Sequence, residues 1–546
     1  MCLLWRNNKE TIQIQALAIP PQPAKKREPM KSYLYKLLLL AAGFFFSFSG
    51  LSQANYTYQL DLNKTENGLL SVKLTTPSIG KDVVDFTFPL AVPGFYGKDM
   101  QFGTMVAELT AYDKWDMPLP AERIKQNQWR IRDAKGLQRI EYKVRNMWKY
   151  RMQNSRYLPA ENFFIEERAF LLNPGGLFGY VEGMENLPYY IYIVRPKGLY
   201  ACSGIKGMSA EAARDAFSFN TYRELADHPI LYSEQEPVSF PVANATVEIA
   251  VFSERNVVSP GRIRKVYEPL LSKLGDYLGG ELPAEKYAFL FFFYDGEFFI
   301  QKALEHTNSS VWVWPEKWDA RLLKAPSLEE GLERENMHKF LHIYAPLNIH
   351  SKEWLAFDFD EPRMSMHQWL YQGTTEYLFY HARVNQGLIP EKTFFWFVND
   401  FLSAAKDFRQ DVSLTEVSRR TYSGLSDQYP NLEVKGALAS LLLDIELRAL
   451  SGGKDSVKKL AGGLVSRYGQ YKAFEDAELF DVITEMTYPE IGEFLKNHVG
   501  GTMPLPINEV FNKVGMEYDA GDNKVYPKPD ATEKELALRE KWLYGE

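Results

Sequence analysis

From Tyr56 the chain alternates apolar and polar residues with period two. Tyr56, Tyr58, Leu60 and Leu62 are separated by polar positions, a turn spans Lys64–Gly68, and Leu70, Val72 and Leu74 alternate again. The pattern and its turn predict a β-hairpin. Short runs of the same kind recur at Val83–Phe88, Trp129–Arg132 and Ile140–Val144. They predict a β-rich, sandwich-like first domain over 55–235. After Pro174-Gly175-Gly176 and a strand-like Tyr189–Val194, the strand Val247–Phe252 opens a second domain over 236–515. There the pattern changes. Ser259-Pro260 is a helix start with proline at the first helical position, followed by Ile263, Val266, Leu270, Leu274 and Leu278 at helical spacing. Tyr287–Tyr294 is almost unbroken apolar sequence, as a strand buried on both faces requires.

Two further helices are predicted. Ser327 and Glu330 form a capping box ahead of a helix that stops before Pro346. Ser365, with Gln368 at the reciprocal position, starts another that continues past Glu376 to about Gly387. The remainder is mostly helical, with a long amphipathic stretch over Asn431–Arg448. Residues 516–546 are expected as a Pro- and charge-rich tail with one short helix near Glu533–Leu543.

Composition is that of a globular protein, 45% apolar and 24% charged. A net charge of −7, with no basic stripe carrying interleaved aromatics, gives no sign of a nucleic-acid partner. Met30-Lys31 and Lys36 precede an apolar stretch from Leu37 to Phe48, and Ser52-Gln53-Ala54 follows. That order predicts a signal peptide over 30–54 and an exported, periplasmic or secreted protein. Residues 1–29 are then expected to be a misassigned upstream start. The apolar run is shorter than the roughly 20 residues a membrane span needs. Loss of the leader removes Cys2 and leaves Cys202, expected as a structural thiol.

The chemistry concentrates at Met337-His338-Lys339-Phe340-Leu341-His342. Two histidines at i and i+4 on one helix face match the H-E-x-x-H arrangement, in which imidazoles hold zinc and a glutamate activates water. Lys339 stands in the glutamate position. An ammonium cannot accept a proton from water. Near it, His350 and His367 are expected to hydrogen-bond rather than coordinate, and Asp358 and Asp360 to cap a loop turn.

Several motifs occur in a fixed order: Pro93-Gly94-Phe95-Tyr96, Tyr222-Arg223-Glu224-Leu225-Ala226-Asp227-His228-Pro229, Ala303-Leu304-Glu305-His306-Thr307-Asn308-Ser309-Ser310, the histidine motif with Pro346-Leu347-Asn348-Ile349-His350-Ser351, Trp369-Leu370-Tyr371-Gln372-Gly373, and Lys435-Gly436-Ala437. Together they resemble the glycyl aminopeptidase family, metallopeptidase family sixty-one, a gluzincin family, over roughly 56 to 518. The resemblance implies an α+β multidomain protein: a β-sandwich-like N-terminal domain, then a thermolysin-like catalytic domain with a mixed sheet and a helical subdomain. Members usually end in a PDZ module, and the short stretch after Tyr518 leads us to expect none here.

Carried onto this chain, the family's zinc ligands fall on His338, His342 and Gln372, and its general base on Lys339. The anchor for a peptide amino terminus falls on Glu305, and the oxyanion tyrosine on Glu433. Gln372 for a glutamate raises the local charge by one and Lys339 for a glutamate raises it by two. At ~4 Å, two unit charges repel by about 4 kcal/mol at an effective dielectric of 20. The metal site is therefore expected to be relict, with no cofactor, and with zinc only if the site stays competent. Glu376, four residues after Gln372, is either a substitute ligand or a carboxylate behind one. Glu305 is either a retained peptide anchor or a strand-edge charge. The expected function is a catalytically silent homologue that binds peptide amino termini or a protein partner in the cleft; the rival is an active metalloaminopeptidase using His338, His342 and Glu376.

Overall fold

The computed structural model describes residues 54–92, 102–148, 158–165, 167–205, 209–210, 213–295, 302–317, 327–345 and 347–545. The expected leader and the Pro93–Tyr96 motif lie outside them. No helix among the described residues is long and apolar enough to cross a membrane.

The first hairpin forms as its pattern dictates. Strand Tyr56–Glu66 pairs with Leu69–Thr75. The two-residue turn Asn67-Gly68 has positive φ at both positions, 54° and 75°, a conformation Asn-Gly adopts at little cost. These strands lie at the centre of an eight-stranded sheet. Tyr56–Glu66 also pairs in parallel with Tyr189–Val194, a long-range partnership that local alternation could not reveal. A four-stranded sheet holding Val83–Thr87 and Gln128–Arg132 packs against the large one, through Phe86 and Phe88 on Tyr142. A second four-stranded sheet contains Ala169–Leu172 and Ile230–Ser233. Buried tyrosine hydroxyls reach backbone carbonyls between layers: Tyr58 donates to Gly179 at 2.6 Å and Tyr142 to Leu177 at 2.7 Å.

The five-stranded sheet of the second domain runs Val238–Val242, Ala245–Ser253, Lys286–Tyr294, Ser309–Pro315, Lys302–His306. Its three central strands are parallel, and both outer pairings are antiparallel. Lys286–Tyr294 is buried on both faces, as its apolar run predicted, and the alternation sorts its side chains between two cores. Tyr287, Phe289, Phe291 and Phe293 join the helical core. Ala288, Leu290, Phe292 and Tyr294 join the core of the N-terminal domain. The sheet thus welds the two domains. On the edge strand Lys302–His306, Leu304 points to the N-terminal side while Ala303 packs on the helical side. Glu305, two residues from Ala303, therefore faces the helices.

The helical part is built around Tyr429–Ser451, nearly all of it buried. Beyond it, the expected tail needs correction. Residues 516–545 hold the helix expected near Glu533–Leu543, found as Glu533–Tyr544 with a complete capping box on Thr532, but also a hairpin, Met516–Asp519 with Lys524–Pro527. Trp542 is 0% exposed and packs on Phe394, Phe395 and Phe511, so this segment belongs to the helical core.

Candidate active-site cleft

The histidine motif sits at the end of helix Leu328–Leu341, capped by Ser327, whose hydroxyl accepts from Glu330 N–H. Phe340 seats the helix on the sheet against Tyr287 and Phe289. That contact turns the opposite face, with His338 and His342, toward the next helix, and the two imidazoles lie 4.9 Å apart edge to face.

His342 is fully buried. Its Nδ1–H donates to Ala345 O at 2.8 Å, which leaves Nε2 without a proton and without a hydrogen-bond partner. Burial pushes the imidazole down to about 3, with Glu305 opposing, so the ring is neutral. His338 Nδ1 lies 2.5 Å from Glu376 Oε2, close enough for an ion pair although not aligned as a hydrogen bond. Burial opposes charge on His338, but the Glu376 carboxylate outweighs it and holds the imidazole above its ordinary value. A carboxylate behind one ring nitrogen is the usual support of a metal-binding histidine.

The residue between them decides the character of the cleft. Lys339 Nζ donates to Glu305 Oε2 at 2.9 Å. The other oxygen, Oε1, lies 3.8 Å from His342 Nε2. Burial alone would raise the Glu305 pKa; the Lys339 ammonium more than offsets it and the carboxyl is held down to about 2. Glu305 is therefore neither a surface charge nor an open anchor: it is ionised and already paired. Glu433, on the long helix, is electrostatically coupled to His338, Glu376 and Lys339, and burial raises its pKa.

Gln372 is buried on a five-residue π turn, Leu370–Thr374, that leads into helix Thr375–Asn385. The turn widens where Gly373 meets Gly436 of the long helix, and a Cβ on Gly373 would collide with the Gly436 backbone. This contact explains the glycine of the Lys435-Gly436-Ala437 motif. The start of the Gln372 segment departs from expectation. Asp476, far away in sequence, accepts from Met366 N–H at 2.7 Å and from the Ser365 hydroxyl at 2.5 Å, a cap that the Ser365–Gln368 spacing did not reveal.

Other motif residues hold the frame. Asp227 accepts from Thr307 N–H at 3.1 Å and pairs with His306 Nδ1 at 3.1 Å, so the first domain clamps the turn beside Glu305. Burial opposes ionisation of Asp227, and the His306 contact still holds it below the ordinary carboxylate range. Tyr371 Oη accepts from Ser351 N–H at 2.9 Å, and Asn348 Nδ2 donates to Ile343 O at 2.7 Å. His367 Nε2–H donates to Asp476 O at 2.7 Å, as expected, and Asp358 caps its turn by accepting from Asp360 and Glu361 N–H, whereas the Asp360 side chain, expected to cap too, accepts from Asn127 Nδ2 at 3.1 Å instead. His350 packs on Trp354. Cys202 is buried and donates to Glu248.

Zinc fits this donor set poorly. His338 and His342 lie side by side, but the third ligand position implied by the resemblance is the neutral amide of Gln372, and Lys339 brings an ammonium to Glu305 next to His342. Among the described residues, no group of three or more His, Cys, Asp or Glu side chains is arranged to hold a metal ion.

Comparison with known proteins places this geometry. The family model described as the peptidase M61 N-terminal domain matches residues 57–234, and that described as M61 glycyl aminopeptidase matches 335–435. No curated protein sequence matches. Among solved structures, an aminopeptidase N family protein from Idiomarina loihiensis is similar, with TM-score 0.69, 20% identity, and coverage of 85% of this chain and 78% of that one. An M1 zinc metallopeptidase from Deinococcus radiodurans has TM-score 0.49 and 14% identity, over 84% of this chain and 96% of that one. At such identity the first likeness speaks for the fold, an aminopeptidase-like α+β architecture. The two family models together span just over half of the 546 residues, and the chain belongs to the M61 glycyl aminopeptidase family.

Proposed function

We propose that this chain is a non-hydrolysing member of its family, exported through residues 30–54, whose cleft binds a peptide or protein segment without cleaving it. The observation that carries the reading is the Lys339 ammonium fixed 2.9 Å from Glu305 in the position of the general base. Hydrolysis by this architecture needs a group there that takes a proton from water, and a protonated lysine held by a carboxylate cannot. Gln372 supports the same conclusion, because an amide supplies no charge to offset a dication.

What remains in the cleft suits binding. The edge strand Lys302–His306 lies at the rim of its sheet, where extended peptides dock by strand addition. Elemental analysis and a peptidase assay on the same purified protein test the reading. The expected result is well under one zinc per chain and no release of amino acids from aminoacyl amides. Stoichiometric zinc with chelator-sensitive turnover would overturn it. One contact favours a rival, an active metalloaminopeptidase using His338, His342 and Glu376: the 2.5 Å approach of Glu376 to His338. On that reading Glu376→Gln abolishes zinc uptake; on ours the wild type has none to lose. Lys339→Glu with Gln372→Glu should then install zinc binding.

A further inference from the structure

The Glu305 carboxylate faces the motif helix and holds a primary ammonium, and that ammonium comes from the chain itself. The pair spans the gap between the edge strand and the motif helix at 2.9 Å. Both side chains reach solvent only partly, Lys339 at 22% and Glu305 at 12%. Glu305 cannot move away from the contact easily, because the turn that follows it is clamped: Asp227 takes Thr307 N–H and His306 Nδ1, both at 3.1 Å. Lys339 is the flexible partner, a point charge on a four-carbon stem with a path to water.

We propose that Lys339 is a tethered occupant of the Glu305 site, and that it excludes free amino termini from the cleft. The alkylammonium seated there identifies the ligand class the carboxylate accepts: a primary ammonium, as at the start of a peptide. A group tethered this close competes at an effective concentration of the order of mM or above. A free amine must therefore displace the lysine before it gains the carboxylate. The cleft of the wild type thus treats free and blocked peptides alike, and selectivity for a free amino terminus is latent in it. This inference rests on the binding reading above and gives that cleft its selectivity.

The test is calorimetry on the purified full-length chain in a buffer containing chelator, with two probes: tri-alanine with a free amino terminus, and its N-acetylated form. Wild type should bind both with equal weak affinity. Lys339→Met should bind tri-alanine at least tenfold tighter while leaving the acetylated form unchanged, and Lys339→Arg should behave as wild type. Adding Glu305→Gln to Lys339→Met should erase the gain. Thermal melting checks that each variant is folded; if Lys339→Met is not, Lys339→Gln takes its place in the same comparison. A structural ion pair with no gating role would lose stability on removal of Lys339 and gain no amine affinity, and that result overturns the proposal. So does a gain that persists without Glu305. Zinc content and turnover of the wild type are separate readouts, so a hydrolytic wild type would sink the non-hydrolysing reading without deciding whether Lys339 occupies the Glu305 site.

Discussion

The ion pairs Arg448–Asp444 and Lys339–Glu305 are both largely withdrawn from water, and they differ in what encloses them. In the helical core, Arg448 Nε donates to Asp444 Oδ2 at 3.1 Å, with side chains 1% and 2% exposed. Every neighbour completes the set. Tyr377 OH donates to the same oxygen at 2.7 Å, Val457 N–H to the other at 2.5 Å, and Arg448 Nη1 reaches Lys541 O at 2.8 Å. In the cleft, the Lys339–Glu305 pair has the same sign arrangement and a similar distance, but it borders a histidine nitrogen with no partner and keeps a route to solvent. A charge pair with all its hydrogen bonds made is part of the architecture. One left incomplete and partly open to solvent can exchange its partner at lower cost.

The sharpest way to break the contrast is at the enclosed pair. Asp444→Ala leaves Arg448 buried without a counter-charge and frees the Tyr377 hydroxyl and Val457 N–H. Removing one partner of such a pair typically costs about 3–5 kcal/mol. The same network fixes the C-terminal helix through Lys541 O and Trp542, so urea unfolding should show the loss together with protease sensitivity near 533–544. A change below about 1 kcal/mol would mean that the network is not the anchor of this segment.

Acid should reach the enclosed region next. His381 donates Nε2–H to Trp542 O at 2.6 Å and accepts from Tyr277 OH at 2.8 Å on Nδ1, so both ring nitrogens are committed to the neutral form. Burial holds its pKa down to about 4, with Asp444 opposing, and burial does the same to His367. In the unfolded chain both groups take up a proton near pH 6.5. The unfolded state therefore binds more protons between pH 6.5 and 4, and stability is full above 6.5 and declines as pH falls through that window. Each histidine contributes up to about 3 kcal/mol of loss at pH 4. Urea titrations at a series of pH values check the slope, and His381→Gln should flatten part of it. A stability independent of pH from 7 to 4.5 would contradict the enclosed geometry.

How much of this was legible before the fold was known depends on the distance over which information had to travel. Tyr287–Tyr294 declared itself a two-faced buried strand because its own eight residues carry the pattern, and Asn67-Gly68 fixed its hairpin locally. Trp542 gave no such signal. It lies in a segment rich in lysine and glutamate, and only the helices it packs against make it core. The π turn at Leu370–Thr374 follows from the meeting of Gly373 and Gly436, two glycines 63 positions apart, so no local periodicity could show it. The cleft divides the same way. The motif spacing named His338, Lys339 and His342, and the family resemblance named Glu305. That Lys339 and Glu305 touch depends on how the motif helix lies on the sheet, which Phe340, Tyr287 and Phe289 decide.

The smallest expected effect lies at the cleft pair itself and would sharpen the comparison most. A double-mutant cycle of Lys339→Met and Glu305→Gln, read by urea unfolding at pH 7, should give a coupling of about 1–2 kcal/mol, below the 3–5 kcal/mol typical of breaking an enclosed pair. The reason is that each partner has somewhere else to go. Lys339 can turn its stem outward to water, and Glu305 without the ammonium can take up a proton. With Lys339 present, the carboxyl is held down to about 2, so its contribution is complete above pH 4.5 and lost as pH falls toward 2. Partial solvent access also makes the cleft coupling fall in 0.5 M salt, while that of Asp444 and Arg448 should not change, since buried pairs are screened far less. A cleft coupling as large and as salt-resistant as the enclosed one would make Lys339–Glu305 a structural staple, and would remove the physical basis for treating Lys339 as a displaceable occupant.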